Sequence, residues 1–378
     1  MLPEGVLGLV RRLFGREVSI GAVEFPGAWA VARLRLEHAP MASVVVKWLR
    51  SDPGGWRTDP RQQFTEAAAL RYLHTLCPGL VPQVLGSEFD HPLEKTTRDG
   101  ILILEDLDPR ISLYAAIRQL GVDKTEQARR SFLMAGARLI TATVGREPEV
   151  RKLLGDNASI DPEHGRVRPL GKPWPRMRAM IEGFGVSVSP AADAEYQRLY
   201  AYFAEPGAFL TLSNGDMATN NYLVDPADQT DGRLIDFEFA HCDHALTHVA
   251  GLYVPGPPWM VINDPIAAEL EEDFRTALAT TIGAAGDDRI FHRGVAAGCV
   301  AMGFERCGNL PKMDARPAGD ASRAQRVYTL ETAARVADAR GYWPALAALQ
   351  YDLAQALRRR WPEVTADPRS LPPYTPRT

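Results

Sequence analysis

The chain has 378 residues, of which 46% are hydrophobic and 24% charged, and its formal net charge is -4. This length suits one large two-lobed domain or two ordinary domains, and the composition is typical of a soluble globular protein. The weak negative charge argues against a nucleic-acid-binding protein, which usually carries a basic excess. No apolar run reaches the ~20 residues that span a bilayer, so we expect no membrane partner.

The four cysteines are scattered and form no Cys-x-x-Cys pair. A reducing, cytoplasmic compartment is the simple interpretation of this usage. The N-terminal stretch MLPEGVLGLVRRLFG lacks the features of a signal peptide, and it predicts a first helix that packs on the domain. The sequence leaves a monomer and a homodimer equally open.

The first hundred residues predict a mostly β region with one helix. Residues 31–37 alternate apolar and polar side chains, and residues 43–49 are rich in β-branched side chains, so both stretches predict strands. Apolar residues recur at helical spacing over 60–76, which predicts a helix. Residues 100–104 form an apolar strand that ends in Glu105 and Asp106.

After residue 110 the pattern becomes mostly helical, with one hairpin of short strands. The predicted elements are helices over 111–145 with Ser112 and Thr125 as caps, an irregular insertion over 146–190 with one helix near 176–184, a helix over 190–205, strands at 221–224 and 233–236, and helices over 263–361. The order predicts an α+β fold with a β-rich front and an α-rich back.

Three polar residues around the predicted hairpin suit phosphoryl transfer. Asp216 precedes Asn221 by five residues, which is the D-x-x-x-x-N spacing of a kinase catalytic loop. Asp236 follows an apolar strand and precedes Phe237, as the metal-binding Asp of a D-F-x turn does. Phosphoryl transfer needs a carboxylate beside the attacking hydroxyl and oxygen ligands for magnesium, and these residues offer both.

The segments Gly-Asp-x4-Asn and Leu-Ile-Asp-Phe-Glu resemble the aminoglycoside phosphotransferase and choline kinase superfamily. The resemblance implies a protein-kinase-like two-lobed fold, with a small β-rich N-lobe and a large, mostly α-helical C-lobe. It implies that Asp216 orients or deprotonates a small-molecule hydroxyl and that Asn221 and Asp236 bind Mg²⁺. It also implies ATP or GTP as the phosphate donor.

The same resemblance assigns residues upstream. Lys47 is similar to the strand lysine that contacts the nucleotide phosphates, and Glu66 to its partner glutamate. The backbone of Glu105, Asp106 and Leu107 resembles the hinge that binds the base. We therefore expect an N-lobe over 1–106 and a C-lobe, with the catalytic loop and acceptor site, over 107–378.

The chain departs from the family pattern in three places. Asn214 stands where the family usually has the histidine that braces the catalytic loop. The phosphate loop is poor in glycine, with only Gly21 and Gly27. After Asp236, Asp243 can take the place of the Asp in the usual Gly-Asp-Pro, and His248 stands near a second expected Asp.

Other interpretations stay open at this stage. The acceptor could be an antibiotic, a sugar or an amino alcohol, and the acidic run from Asp264 to Asp273 could attract a cationic one, although a solvated helix face is the simpler interpretation. The cluster His241, Cys242, His244 and His248 invites a zinc site, but packing or substrate contact suits it better. The chain could also be a non-catalytic nucleotide-binding protein or a protein kinase.

Overall fold

The computed structural model describes residues 2–26, 30–50, 58–89, 100–121, 123–254 and 269–365. Its strands are β1 Ser19–Glu24, β2 Val31–Glu37, β3 Ser43–Lys47, β4 Val84–Ser87, β5 Leu102–Glu105, β6 Ile111–Ser112, β7 Leu210–Ser213, β8 Tyr222–Val224, β9 Gly232–Leu234 and β10 His241–His244. Its α-helices are α1 Gly5–Phe14, α2 Pro60–Leu76, α3 Leu113–Leu120, α4 Glu126–Thr143, α5 Glu147–Leu154, α6 Pro162–Val167, α7 Trp174–Gly183, α8 Pro190–Ala204, α9 Thr247–Tyr253, α10 Leu270–Ala279, α11 Asp288–Cys307, α12 Leu310–Asp314, α13 Ala321–Ala339 and α14 Pro344–Arg360.

The N-terminal strands form one antiparallel sheet in the order β1-β2-β3-β5-β4. Side chains alternate between the two faces of a strand, and the two faces pack on different helices. Val44 and Val46 share a core with α1, whereas Val45 packs in the core that contains Leu70 of α2. The alternation therefore places the next residue of that second series, Lys47, on the α2 side of the sheet.

Helix α2 begins at a well-formed cap. The Asp59 carboxylate accepts a hydrogen bond from the Arg61 N–H at 2.9 Å, and the Gln62 side chain accepts one from the Asp59 N–H at 3.2 Å. This capping box, with Pro60 in the first turn, fixes where the helix starts. Glu66 then lies on the buried face of the helix, with 1% of its surface exposed.

The C-terminal part is mostly helical and surrounds two small sheets. Strands β6, β8 and β9 form an antiparallel sheet in the order β6-β8-β9, and β7 pairs with β10. Helix α11 packs against α9 and α13, and α13 packs against α14. None of the described helices is long and apolar enough to cross a membrane. The fold class that the sequence predicts, a β-rich lobe followed by a mostly helical lobe, is confirmed.

Several local predictions were wrong. The stretch 146–190 holds three helices, α5, α6 and α7, because prolines at their first turns start helices as well as break them. Strands β7 and β10 were missed, since each has only four residues. The Thr125 hydroxyl does not cap α4 but donates to the Gly121 carbonyl at 2.9 Å.

The acidic run after residue 263 is only partly described, and Asp264 lies outside the described residues. Within it, Glu271 is buried, contrary to the solvated face that the sequence favoured. Its carboxylate accepts hydrogen bonds from the Tyr253 hydroxyl and from the Arg340 guanidinium. This buried group joins α9, α10 and the end of α13.

We expect Arg340→Met to lower the free energy of unfolding by about 3 kcal/mol, because it leaves the Glu271 charge buried without its cation. Arg359→Met, at an exposed position of α14, makes the same side-chain change and should cost less than about 0.5 kcal/mol. Urea denaturation of both variants measures the difference. Equal stability of the two variants would contradict the proposed dependence on Arg340.

Candidate active site

Lys47 and Glu66 form a buried ion pair. The Lys47 side chain is 4% exposed, and its Nζ lies 2.5 Å and 2.7 Å from the two carboxylate oxygens of Glu66. A buried ammonium group without a partner costs several kcal/mol, so each member of the pair depends on the other. The structure thus brings together two residues that the sequence places nineteen positions apart.

The same ammonium group reaches the C-terminal hairpin. Lys47 Nζ lies 2.5 Å from Asp236 Oδ1 and 3.7 Å from Glu238 Oε2. Asp236 follows β9 by two residues and adopts a left-handed backbone with φ of 60°. A left-handed non-glycine residue is uncommon and mildly strained, and such strain clusters at functional sites. This conformation holds the carboxylate towards Lys47, across the two parts of the fold.

Asn214 braces the loop that carries Asp216. Its side chain is fully buried; the amide nitrogen donates to the carbonyls of Asp216 and Ile235, both at 3.3 Å, and the amide oxygen accepts from the Asp216 N–H at 3.1 Å. These bonds tie the loop to the segment just before Asp236. The asparagine therefore supplies a brace at the position where the family resemblance led us to expect a histidine.

Asn221 lies beside both aspartates. Its amide nitrogen donates to the Asp216 carbonyl at 2.9 Å and to Asp216 Oδ2 at 3.2 Å, and its own carbonyl accepts from the Ile235 N–H at 3.0 Å. Its amide oxygen accepts from the Asn220 side chain at 2.6 Å. Asp216, Asn221 and Asp236 are thus neighbours at one end of the β8–β9 hairpin, as the motif spacing predicts.

Asp216 lies in an unusual electrostatic environment. Solvent reaches its side chain, yet protein crowds it closely enough that desolvation raises the pKa of the carboxyl above its ordinary value. The charge of Asp236 also raises this pKa, while Arg306, Arg168 and the Asn221 hydrogen bond lower it. A carboxylate with a raised pKa accepts a proton more readily than an ordinary aspartate does.

The site offers oxygen ligands for a hard cation. Carboxylate oxygens of Glu66, Asp236 and Glu238 lie within 4.8 Å of one another, the one such group found among the described residues. Three carboxylates outnumber the single Lys47 ammonium, so the cluster favours an added cation. Carboxylate and amide oxygens are the donors that Mg²⁺ takes in proteins, so Asp236 with Asn221 fits this ion. The sequence left Glu238 open between a substrate or metal contact and an exposed charge, and the structure places it in this carboxylate group.

The three predicted hinge residues have distinct contacts. The Glu105 N–H donates to the Gln83 carbonyl at 2.9 Å, and the Leu107 carbonyl accepts from a main-chain N–H three residues later. The Asp106 carboxylate lies 2.7 Å from Arg33 Nε and therefore forms an ion pair with strand β2. That this backbone binds a base stays a prediction. Gly27 of the phosphate loop lies outside the described residues.

The histidine cluster after Asp236 belongs to the packed interior. Burial lowers the pKa of His241 and His244 to about 3 and of His248 to about 4, and it raises that of Asp243 to about 8. All four groups are therefore largely neutral near pH 7. None of them belongs to the group of possible metal ligands found among the described residues.

Two arginines that the sequence did not single out lie near Asp216. Arg168 Nη1 donates to the Gly215 carbonyl at 2.6 Å. Arg306, in the last turn of α11, is close enough for its charge to lower the pKa of Asp216. No local motif marks either residue, because each reaches the loop from a distant part of the chain.

Comparison with solved structures identifies the fold. A candidate aminoglycoside phosphotransferase from Ralstonia eutropha JMP134 is 16% identical, with a TM-score of 0.51 over 93% of this chain and 98% of that one. The chain has the two-lobed fold of the phosphotransferases. Amicoumacin kinase hAmiN, in complex with AMP-PNP, Ca²⁺ and its antibiotic, is 13% identical, with a TM-score of 0.54 over 88% of this chain and 93% of that one. APH(2″)-IIIa, with GDP and kanamycin, is 12% identical, with a TM-score of 0.51 over 89% of this chain and 99% of that one.

Sequence comparisons add nothing to this finding, since no family model and no curated protein matches the chain. The predicted resemblance is confirmed at the level of the fold, with 12–16% identity to the three structures described.

The raised pKa of Asp216 predicts a stability penalty. The pKa of this carboxyl is higher in the folded than in the unfolded protein. Such a group lowers the stability of the fold as the pH rises from the unfolded-state pKa through the folded-state pKa. Asp216→Asn removes the charge, so we expect its melting temperature near pH 8 to exceed that of the parent by about 1–2 °C. The gain should vanish near pH 3, where Asp216 is protonated in both the folded and the unfolded parent protein.

Asp228→Asn is the matched control for this prediction. The Asp228 carboxylate accepts hydrogen bonds from the N–H and hydroxyl of Thr230, which hold its pKa below the ordinary value. Removing that charge should therefore not raise the melting temperature. A similar gain in both variants would mean that general charge removal, and not the environment of Asp216, is responsible.

Proposed function

We propose that the protein is a small-molecule kinase, which transfers the γ-phosphoryl group of ATP or GTP to a hydroxyl group. One observation carries the proposal: Lys47 joins Glu66 to Asp236 directly, beside a loop in which Asp216 and Asn221 are hydrogen bonded. These five side chains are the set that phosphoryl transfer requires, and they meet from four separate stretches of the chain. The shared fold of phosphotransferases supports the same function.

In this proposal Asp216 is the catalytic carboxylate. It accepts a hydrogen bond from the acceptor hydroxyl and orients the hydroxyl oxygen towards the γ-phosphorus. A bond forms between that oxygen and the phosphorus, the bond to the β–γ bridging oxygen breaks, and the hydroxyl proton passes to Asp216. The raised pKa of this carboxyl favours proton uptake at the end of the step.

Lys47 holds the phosphates in this proposal, and Glu66 fixes the direction of its side chain. Asn221 and Asp236 would hold Mg²⁺, which supplies charge neutralisation along the phosphate chain when it is bound. Because Lys47 contacts Asp236 at 2.5 Å, the phosphate contact and the metal ligand are set by one ion pair. We propose that the main chain of 105–107 receives the base.

Some properties stay predictions from the sequence alone. These are the lobe division at 106–107, a cytoplasmic location, and a choice between monomer and homodimer. The choice between ATP and GTP is likewise open to the assay below.

We expect Asp216→Asn to lower turnover by about three decades or more, because the amide cannot take the hydroxyl proton. Nucleotide binding should stay close to that of the parent, since Asp216 contacts the acceptor. Titration calorimetry with Mg-nucleotide and a coupled assay for nucleoside diphosphate release measure the two quantities. Asp225→Asn, at a turn of the hairpin beyond the site, makes the same chemical change as a control. Full activity of Asp216→Asn would refute the assignment.

We expect Asn214→Ala to lower turnover by about 10- to 100-fold, because the loop loses the brace that sets the position of Asp216. Asn214→His should retain more activity than Asn214→Ala, since an imidazole can still bond to the backbone. Circular dichroism checks that both variants fold. Equal turnover of the alanine variant and the parent would show that the brace does not matter for the reaction.

The enzyme assay itself uses Mg-ATP and Mg-GTP with aminoglycosides, sugars and amino alcohols. A phosphorylated product establishes the acceptor class. Nucleotide binding without any transfer would favour the non-catalytic alternative, and phosphorylation of protein substrates alone would favour a protein kinase.

A further inference from the structure

A cationic pair of side chains lies next to the catalytic loop. It consists of Arg168, which begins the 3-10 helix Arg168–Leu170, and Arg306, which lies in the last turn of α11. Both side chains are partly or largely removed from solvent. Neither residue belongs to the set that Lys47 assembles, so the proposed reaction leaves the two guanidinium groups without an assignment.

The fold holds these two elements tightly together. Gly171, directly after the 3-10 helix, has a φ of +75°, and a Cβ at this position would come within 2.8 Å of the Glu305 Cα. Lys172 follows, and its Cε would lie 3.4 Å from a Cβ at Gly308. The turn with Arg168 and Lys172 is therefore packed directly on the end of α11 that carries Arg306.

Arg168 is fixed against the catalytic loop. Its Nη1 donates to the Gly215 carbonyl at 2.6 Å, and its guanidinium group lies over the Phe239 ring at 5.2 Å. Within the described residues it forms no ion pair, and desolvation lowers its pKa. A desolvated cation without a bound anion is electrostatically costly, and a negatively charged ligand would offset that cost.

Arg306 is also incompletely paired. Its side chain is 17% exposed, and its Nε lies 3.1 Å from Glu305 Oε2 but lacks a well-oriented hydrogen-bond acceptor. In the described part of the chain, no ion pair within 4.0 Å joins Arg306 to Asp216, although their charges interact. The Arg306 guanidinium is thus near the catalytic carboxylate without forming an ion pair with it.

The charges around the cationic pair differ from what a cationic acceptor needs. Two guanidinium groups and the exposed Lys172 lie near the carboxylates of Glu305 and Asp216. The charge of Asp236 also reaches Asp216, but Asp236 is paired with Lys47. The buried Asp243 adds little negative charge near pH 7, because burial raises its pKa to about 8. The two guanidinium groups would repel a polycation such as an aminoglycoside, whereas they would attract an oxyanion and donate hydrogen bonds to it.

We propose that the acceptor carries an oxyanion, a carboxylate or a phosphate, close to the hydroxyl that is phosphorylated, and that Arg306 binds it with support from Arg168. The proposal rests on the proposed kinase function and names the substrate class of the same site. Arg306 supplies the direct contact with the oxyanion. Arg168 holds the loop against the turn that packs on α11, through its hydrogen bond to the Gly215 carbonyl.

The test uses acceptors matched in size and different in charge. One set is glycerate, glycerol and 1-amino-2-propanol; another is glucose 6-phosphate, glucose and glucosamine. Transfer from Mg-ATP and Mg-GTP gives kcat and KM, and calorimetry with Mg-AMP-PNP gives binding without turnover. We expect the anionic members to be preferred by at least about 10-fold over neutral and cationic ones. Preference for glycerate or for glucose 6-phosphate separates the carboxylate from the phosphate.

Variants of Arg306 test the contact. We expect Arg306→Gln to raise KM for the anionic acceptor by about 10-fold or more with a smaller change in kcat, and Arg306→Lys to keep part of the affinity. Arg289→Gln removes the same charge from the exposed start of the same helix, roughly 25 Å away, and should leave KM unchanged. A purely structural defect in Arg306→Gln would lower kcat and stability and would not select against anions.

The outcomes separate this inference from the function on which it rests. Transfer to neutral or cationic acceptors, with Arg306→Gln as good as the parent, overturns the anionic acceptor and leaves the kinase intact. If no acceptor is phosphorylated, the binding measurement decides. Saturable anion binding that Arg306→Gln weakens supports the anion site, and the absence of such binding overturns the inference. Failure to bind any nucleotide would remove the kinase function, and the acceptor inference with it.

Discussion

The candidate site depends on one buried ammonium group. Lys47 reaches Glu66 on α2 and Asp236 after β9, so a single side chain connects the sheet, its covering helix and the C-terminal hairpin. Because Lys47 is buried, loss of either carboxylate would leave a desolvated charge and destabilise the fold. Each of the three elements is thus positioned relative to the others by the same contact.

The loop that carries Asp216 is held by hydrogen bonds of a different kind. Asn214 and Asn221 both bind main-chain groups on the two sides of Asp216, and Arg168 binds the carbonyl just before it. Desolvation raises the pKa of Asp216 itself. A loop that is rigid around one destabilised carboxylate is the arrangement expected of a site that trades stability for chemistry.

Much of this arrangement follows from local sequence. The apolar spacing of α2, the alternating strands and the spacing of Asp216, Asn221 and Asp236 are all patterns within short stretches, and these elements lie where the sequence predicts them. Other features depend on contacts between distant segments, which no local pattern records. Arg168 and Arg306 are close to the loop only because their turn and helix pack together, and Glu271 is buried only because Arg340 arrives from another helix. The sequence did not predict helices α5 and α6, because their prolines indicated an irregular segment.

The asparagine brace has a consequence for how the loop responds to acidity. An imidazole can gain a proton, and its hydrogen bonds to the backbone then change with its charge. The Asn214 amide does not titrate, so its own protonation never alters its three hydrogen bonds, two to Asp216 and one to Ile235. The brace at position 214 therefore keeps the same donors and acceptor at any pH, while the Asp216 carboxyl that it positions still titrates.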